Sequence, residues 1–161
     1  MNFEFEQKIG ERMFAVIRLT GSVGVPKKIK DTLKMLCLHA ANNCVVIPET
    51  PSYKGMIEKV KDYVTYGEIN LKTFTAMLKK RGRVGNKRLT EEDVKAMGYK
   101  SIEELAKLIL EGKVRMKDTE LKRTFRLTPP KHGFKSIRQH WPKGDLGNRE
   151  DAINELIERM I

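Results

Sequence analysis

Hydrophobic and polar positions along the chain divide it into short apolar runs and longer helical stripes. Met13 to Leu19, MFAVIRL, is apolar except for Arg18 and reads as a mostly buried strand. The loop TGSVGVP follows, punctuated by Gly21, Gly24 and Pro26. Ile29, Leu33, Leu36 and Cys37 then recur at helical spacing within PKKIKDTLKMLCLH. Asn42-Asn43 marks a turn, and CVVI, rich in β-branched residues, predicts a second strand over 44–47. Thr50 is placed to cap the next helix and Pro51 to open it, with Met56, Ile57, Val60 and Val64 on one face. Val64, Tyr66 and Ile69 alternate in YVTYGEI and predict a third strand. Helices interleaved with strands in this way suggest a sheet with helices packed on one face.

Beyond residue 69 the spacing becomes helical. Asn70 caps a helix through about Arg81, with Leu71, Phe74, Met77 and Leu78 as its stripe and Gly82 as its end. Thr90 and Asp93 suggest a cap for a short helix ending at Gly98. Ser101 and Glu104 form a capping box for a helix lined by Ile102, Leu105, Leu108 and Ile109. From residue 124 the periodicity fades. Thr124 to Leu127 predicts a strand, and Pro and Gly then punctuate the chain until Asn148, the expected cap of a last helix carrying Ala152, Ile153, Leu156, Ile157 and Met160. The expected organisation is a βαβαβ core over 1–69, a helical insertion over 70–123, and a basic extended segment over 124–161 whose helix docks on the core.

Charge changes this picture most. The 161 residues include 32 Lys and Arg against 21 Asp and Glu, a net +11. Residues 79–88, KKRGRVGNKR, hold six basic and no acidic groups, and residues 113–149 hold eleven against three. Concentrated positive charge of this kind predicts a polyanionic partner. Residues 89–112 are acidic, so this helical piece is expected to pack or recruit rather than meet RNA. No apolar run approaches the length of a membrane span. The start MNFEFEQKIGER lacks a basic stretch followed by an apolar one, so the expectation is a cytoplasmic chain. Cys37 and Cys44 read as reduced thiols; with His39 they are one ligand short of a closed tetrahedral zinc site and match no common spacing.

Candidate chemistry is sparse. No phosphate-binding GxxxxGK[ST], no GxGxxG and no GxSxG occurs. His39, His132 and His140 stand apart from one another, and the paired acids at 91–93 and 103–104 are explained as first-turn helix charges. Neither an enzyme nor a cofactor is expected. The cations carry a different logic, because Lys and Arg neutralise phosphates and release counterions. Lys27, Lys28 and Lys34 line the first helix. Lys79, Lys80, Arg81, Arg83, Lys87 and Arg88 form the first basic block, where the helix dipole explains only those inside the helix. In the last third, Lys131, Lys135, Arg138 and Lys143 surround Trp141, an arrangement that can stack on unpaired bases. Arg149, at the expected start of the last helix, is a candidate phosphate contact. Within the second helix Gly55 costs about 1 kcal/mol relative to alanine. It removes a side chain where RNA or a packed core strand comes close.

The stretches SVGVP, DTLKMLCL, NNCVV and TPSYKGMIEKVKDYV followed by YGE resemble the universal large-subunit ribosomal protein family numbered thirty in bacteria and archaea and seven in eukaryotes. FRLTPPKHGFKSI and GDLGNREDAINELIERMI resemble its extended archaeal and eukaryotic branch; the resemblance is weakest over 1–12 and 84–123. It implies an α+β fold in which a three-stranded antiparallel sheet carries two helices on one face, a relative of the ferredoxin-like arrangement. It also implies a non-catalytic part of the large subunit that binds ribosomal RNA, lies near 5S RNA and touches neighbouring ribosomal proteins. Carried over by position, the RNA-facing residues are Lys27, Lys28, Lys34, Tyr53 and Lys54. Position 54 is often arginine in the short branch, and Lys54 lacks the bidentate fork. The rival expectation is a free-standing RNA chaperone or translational regulator on the same fold.

Overall fold

The computed structural model describes residues 12–161. The N-terminal stretch read above for a signal, and the first residues of the expected 1–69 core, lie outside the described residues. The strands β1 (Met13–Arg18), β2 (Asn43–Pro48) and β3 (Val64–Glu68) alternate with helices α1 (Lys27–Met35) and α2 (Pro51–Val60). There follow α3 (Leu71–Arg81), a two-stranded hairpin of β4 (Arg83–Val84) and β5 (Lys87–Arg88), α4 (Glu91–Ala96) and α5 (Ile102–Leu110). The chain ends with β6 (Thr124–Arg126), β7 (Gly147–Asn148) and α6 (Ala152–Met160).

β1 lies at the centre, antiparallel to β2 and to β3, with Val16 opposite both Val45 and Tyr66. This is the three-stranded antiparallel unit the resemblance implies. The sheet is nevertheless larger and mixed. Its order is β6-β2-β1-β3-β7, with β6 antiparallel to β2 and β7 parallel to β3. Thr65 Oγ1 donates to the carbonyl of Gly147 at 3.2 Å, securing that last edge.

Helices on one face are also only half of the arrangement. Alternate strand residues Val16, Val45, Ile47 and Val64 pack with Leu33 of α1 and with Ile57 and Val60 of α2. The intervening residues Ala15, Ile17, Cys44 and Val46 pack with Phe74 and Met77 of α3, Leu105 and Ile109 of α5, and Ile153, Leu156 and Ile157 of α6. The physical reason lies in the strands. MFAVI and CVVI are continuously apolar, which suits a sheet covered on both faces. A strand with one wet face would alternate.

Local signals place most of the helix ends. The hydroxyl of Thr50 accepts from the Tyr53 N–H at 3.3 Å, and Asn70 Oδ1 accepts from the Thr73 N–H at 2.8 Å. Thr90 and Asp93 form a complete capping box. The box expected at Ser101 is half made. Ser101 caps the Glu104 N–H, but Glu104 accepts from the Lys100 N–H instead of returning to Ser101. The N-cap of the last helix falls three residues later than expected, at Asp151, because Asn148 belongs to β7 and its side chain accepts from the Glu150 N–H at 3.0 Å. Gly67 permits this junction: a Cβ there would collide with the carbonyl of Glu150.

Candidate nucleic-acid interface

The first group of expected contacts lies on the α1–α2 layer. The two helices pack side by side on the same face of the sheet. Lys27, Lys28, Lys30 and Lys34 are exposed, and none is in an ion pair among the described residues. α1 ends where Cys37 takes a left-handed φ of 62° and the Leu38 N–H closes on the Leu33 carbonyl at 2.9 Å. Tyr53 is half-buried against the core beneath these helices. Lys54 is exposed but paired with Glu49, so its charge is partly compensated.

Gly55 lies on the exposed surface of α2, and a Cβ built there meets nothing within 4 Å. Of the two neighbours expected for it, the packed core strand is therefore excluded.

A residue that charge counting passed over organises this layer. Arg18 is buried at the end of β1. Its Nε donates to the Thr20 carbonyl at 2.9 Å and its Nη1 to the Leu38 carbonyl at 2.9 Å. Its Nη2 reaches the Gly21 carbonyl at 3.1 Å and Ser22 Oγ at 3.2 Å. The guanidinium thus fixes the loop before α1 and the turn after it. Desolvation lowers its pKa from the ordinary arginine value. Its only sequence signal was a lone cation interrupting an apolar run. Beyond this anchor the loop runs out to Val23, which is 99% exposed.

The second group surrounds the end of α3 and the β4–β5 hairpin. Val84, Leu89 and Leu121 tie this group to the core on the other face of the sheet. Lys80, Arg83, Lys87 and Arg88 are exposed, while Arg81 is half-buried. Arg83 stands directly opposite Arg88 across the hairpin. Such a like-charge pair is unfavourable in the free protein. Lys79 is engaged with the acidic insertion: its ammonium lies 2.7 Å from Glu103 Oε1. That hydrogen bond holds the Glu103 carboxyl below the usual range.

The third group lies along residues 131–149, beside β7 at the β3 edge. Lys131, Lys135, Arg138 and Lys143 are exposed, and the Lys131 N–H is tied to the carbonyl of Arg159. His140 Nε2 lies 2.8 Å from Asp62 Oδ1, joining this segment to the turn after α2. Trp141 keeps 37% of its surface exposed, with Lys135 Nζ 5.4 Å and Arg149 Cζ 4.6 Å from the ring centre.

The expectation for Arg149 is corrected. Its guanidinium is buried and lies 2.6 Å from Asp145, so it does not stand at a helix start facing solvent. Burial lowers its pKa, and the hydrogen bond it donates to Asp145 opposes that shift. Asp145, which the sequence analysis did not single out, organises the segment. It accepts from the Ser136 N–H at 3.1 Å and from Arg149, and its own N–H donates to the Ser136 carbonyl.

Among the described residues no group of His, Cys, Asp and Glu is arranged to hold a metal. Cys44 is fully buried, and burial pushes its thiol pKa up. No helix among the described residues is long and apolar enough to cross a membrane.

A family model described as ribosomal protein L30p/L7e matches residues 14–64, which span β1 to the start of β3. A protein of Archaeoglobus fulgidus called large ribosomal subunit protein uL30 is 54% identical over 92% of this chain and 99% of its own. Proteins of the same name from Methanococcus maripaludis strain C5 and Nanoarchaeum equitans are 51% and 48% identical, each over 92% of this chain and 99% of theirs. Similarity of this extent reaches beyond the β1–β3 unit into the helical insertion and the C-terminal segment, and the chain belongs to the ribosomal protein L30p/L7e family.

Proposed function

We propose that this protein is a structural constituent of the large ribosomal subunit, of archaeal type, that binds ribosomal RNA and catalyses nothing. The observation that carries this reading is the set of four exposed cations on α1, faced on that helix by Asp31 alone and in no ion pair among the described residues. Lys27, Lys28, Lys30 and Lys34 stand exposed on one helix, and that helix packs against α2, which carries the open surface at Gly55. Such a face is self-repelling alone and favourable against phosphates. In this reading RNA approaches α2 closely where Gly55 has no side chain. Tyr53, Lys54, Lys79, Lys80 and Arg81 border that contact or the second one, formed by Arg83, Lys87 and Arg88. Lys131, Lys135, Arg138, Trp141 and Lys143 provide the third. Arg149 supports the third group from inside the protein and does not touch phosphate. The partners are large-subunit RNA, in a position near 5S RNA, and neighbouring ribosomal proteins, and the location is the cytoplasmic ribosome.

Sedimentation of the native protein through sucrose at moderate salt tests this. It should travel with large subunits, and recovery only among free proteins would sink the proposal. Crosslinking from the named lysines in the assembled particle then identifies the RNA strands touched.

A further inference from the structure

We infer that Trp141 is a pre-positioned platform for one unpaired nucleotide. This rests on the RNA-binding reading above and goes beyond it, because it assigns to one side chain a single-stranded ligand that phosphate contacts alone do not select. Trp141 borders a hollow of about 410 Å³ between the 132–135 loop and α6. The ring is held from within. Arg149, 3% exposed, places its guanidinium carbon 4.6 Å from the ring centre and is itself pinned by Asp145 at 2.6 Å. The Trp141 N–H donates to the Leu146 carbonyl at 2.8 Å, fixing the backbone as well. An indole fixed in this way has already lost its rotamer freedom before any ligand arrives.

Arg149 and Arg159 line the same hollow, and their Nε atoms lie buried behind its wall with no hydrogen-bond partner among the described residues. Buried donors without acceptors are costly, and a small shift of either side chain toward a base carbonyl in the hollow would relieve that cost. Lys135 is exposed on a flexible stem, with its ammonium 5.4 Å from the indole centre. A base that stacks on the exposed part of the ring displaces this ammonium, which can then meet the phosphate of the same nucleotide. Asp145 does not counter that attraction, because its charge is engaged by Arg149; Glu155, which also lines the hollow, leaves the local balance positive with Lys135 and Arg159. Bases inside a duplex are stacked on their neighbours and offer no free face, so the ligand is an unpaired or extruded nucleotide.

Trp141 is the only tryptophan of the chain, so intrinsic fluorescence reports on this residue alone. The full-length protein is titrated with an oligoadenylate of about ten nucleotides, an abasic phosphodiester of equal length, and an RNA duplex. The oligoadenylate should quench Trp141, while the abasic strand binds through charge without quenching. Trp141→Ala should weaken oligoadenylate binding roughly tenfold more than duplex binding, and Trp141→Phe should retain most of it. Equal quenching by the abasic strand, or an equal loss for duplex and single strand, overturns the inference. Binding of the oligoadenylate and the duplex alike, with no quenching of Trp141 by the oligoadenylate, sinks the platform but leaves the RNA-binding reading standing. Binding to none of the three probes sinks both. Circular dichroism checks the folding of each variant, and Lys135→Ala, a surface change, reads the phosphate contact if Trp141→Ala does not fold.

Discussion

Arg18 Nη1 donates to the carbonyl of Leu38 at 2.9 Å, and through that bond one buried side chain couples the loop before α1 to the turn after it. Replacing Arg18 by Met keeps much of the packing and leaves four acceptors unserved. The expected cost is about 3 kcal/mol in urea unfolding, since hydrogen bonds from a charged group are worth more than neutral ones. Hydrogen exchange at residues 20–22 should rise in the variant even below its unfolding transition. Arg18→Lys should recover only part of both effects, because an ammonium cannot span acceptors in the fixed fork of a guanidinium. Full recovery by lysine would show that the charge alone is needed.

Gly55 separates stability from binding. A Cβ there meets open space, so Gly55→Ala should stabilise the free protein by about 0.5–1 kcal/mol through helix propensity. Gly55→Leu, close to alanine in helix propensity, should hold or raise the melting temperature and still reduce incorporation into large subunits. Melting curves alongside gradient sedimentation check both halves. Normal incorporation of the leucine variant would show that nothing approaches α2 at this point.

The hairpin arginines should behave in the opposite way. Arg83 and Arg88 face each other with like charge, so removing both relieves repulsion in the free protein. Arg83→Ala with Arg88→Ala should hold or slightly raise thermal stability. Over the same range of salt it should flatten the dependence of RNA affinity by roughly 2 units in the log–log slope. An unchanged slope would remove the hairpin from the interface.

A pH effect is expected at the start of α4. Hydrogen bonds from the Thr90 side chain and N–H hold the Asp93 carboxyl below its ordinary value. A depressed carboxyl contributes stability that is present above the ordinary aspartate range and is lost as pH falls through the lowered folded value. Thr90→Ala should return Asp93 toward the ordinary range in an NMR titration. It should also cost about 1 kcal/mol, as loss of a threonine cap commonly does. A carboxyl titrating unchanged in the variant would show that Thr90 does not set it.

What could be read before the structure depended on how local the signal was. Thr50, Asn70 and Thr90 cap their helices because a cap involves residues only a few positions apart. The strands β1 to β3 were legible for the same reason. Of the two edge strands, β6 was legible as the expected strand over Thr124 to Leu127, and β7 was not. β7 is two residues long and pairs with residues some eighty positions earlier, so no periodicity announces it. Its presence also explains why the N-cap of the last helix is Asp151 rather than Asn148. At the candidate interface, exposed lysines follow from a polar helix face. The burial of Arg149 follows from Asp145 four residues before it and from packing against Trp141, and charge counting carries no trace of either.

Both outer strands of the sheet come from the final segment: β6 borders β2 and β7 borders β3. A chain halted during synthesis before Thr124 would hold β1 to β3 with both flanks open and one face without α6. Open flanks of this kind are templates for pairing with other chains. The protein is thus safe from self-association only once its last residues have emerged and folded back. For a chain of this net charge, that interval is the moment when a shielding companion, protein or RNA, matters most.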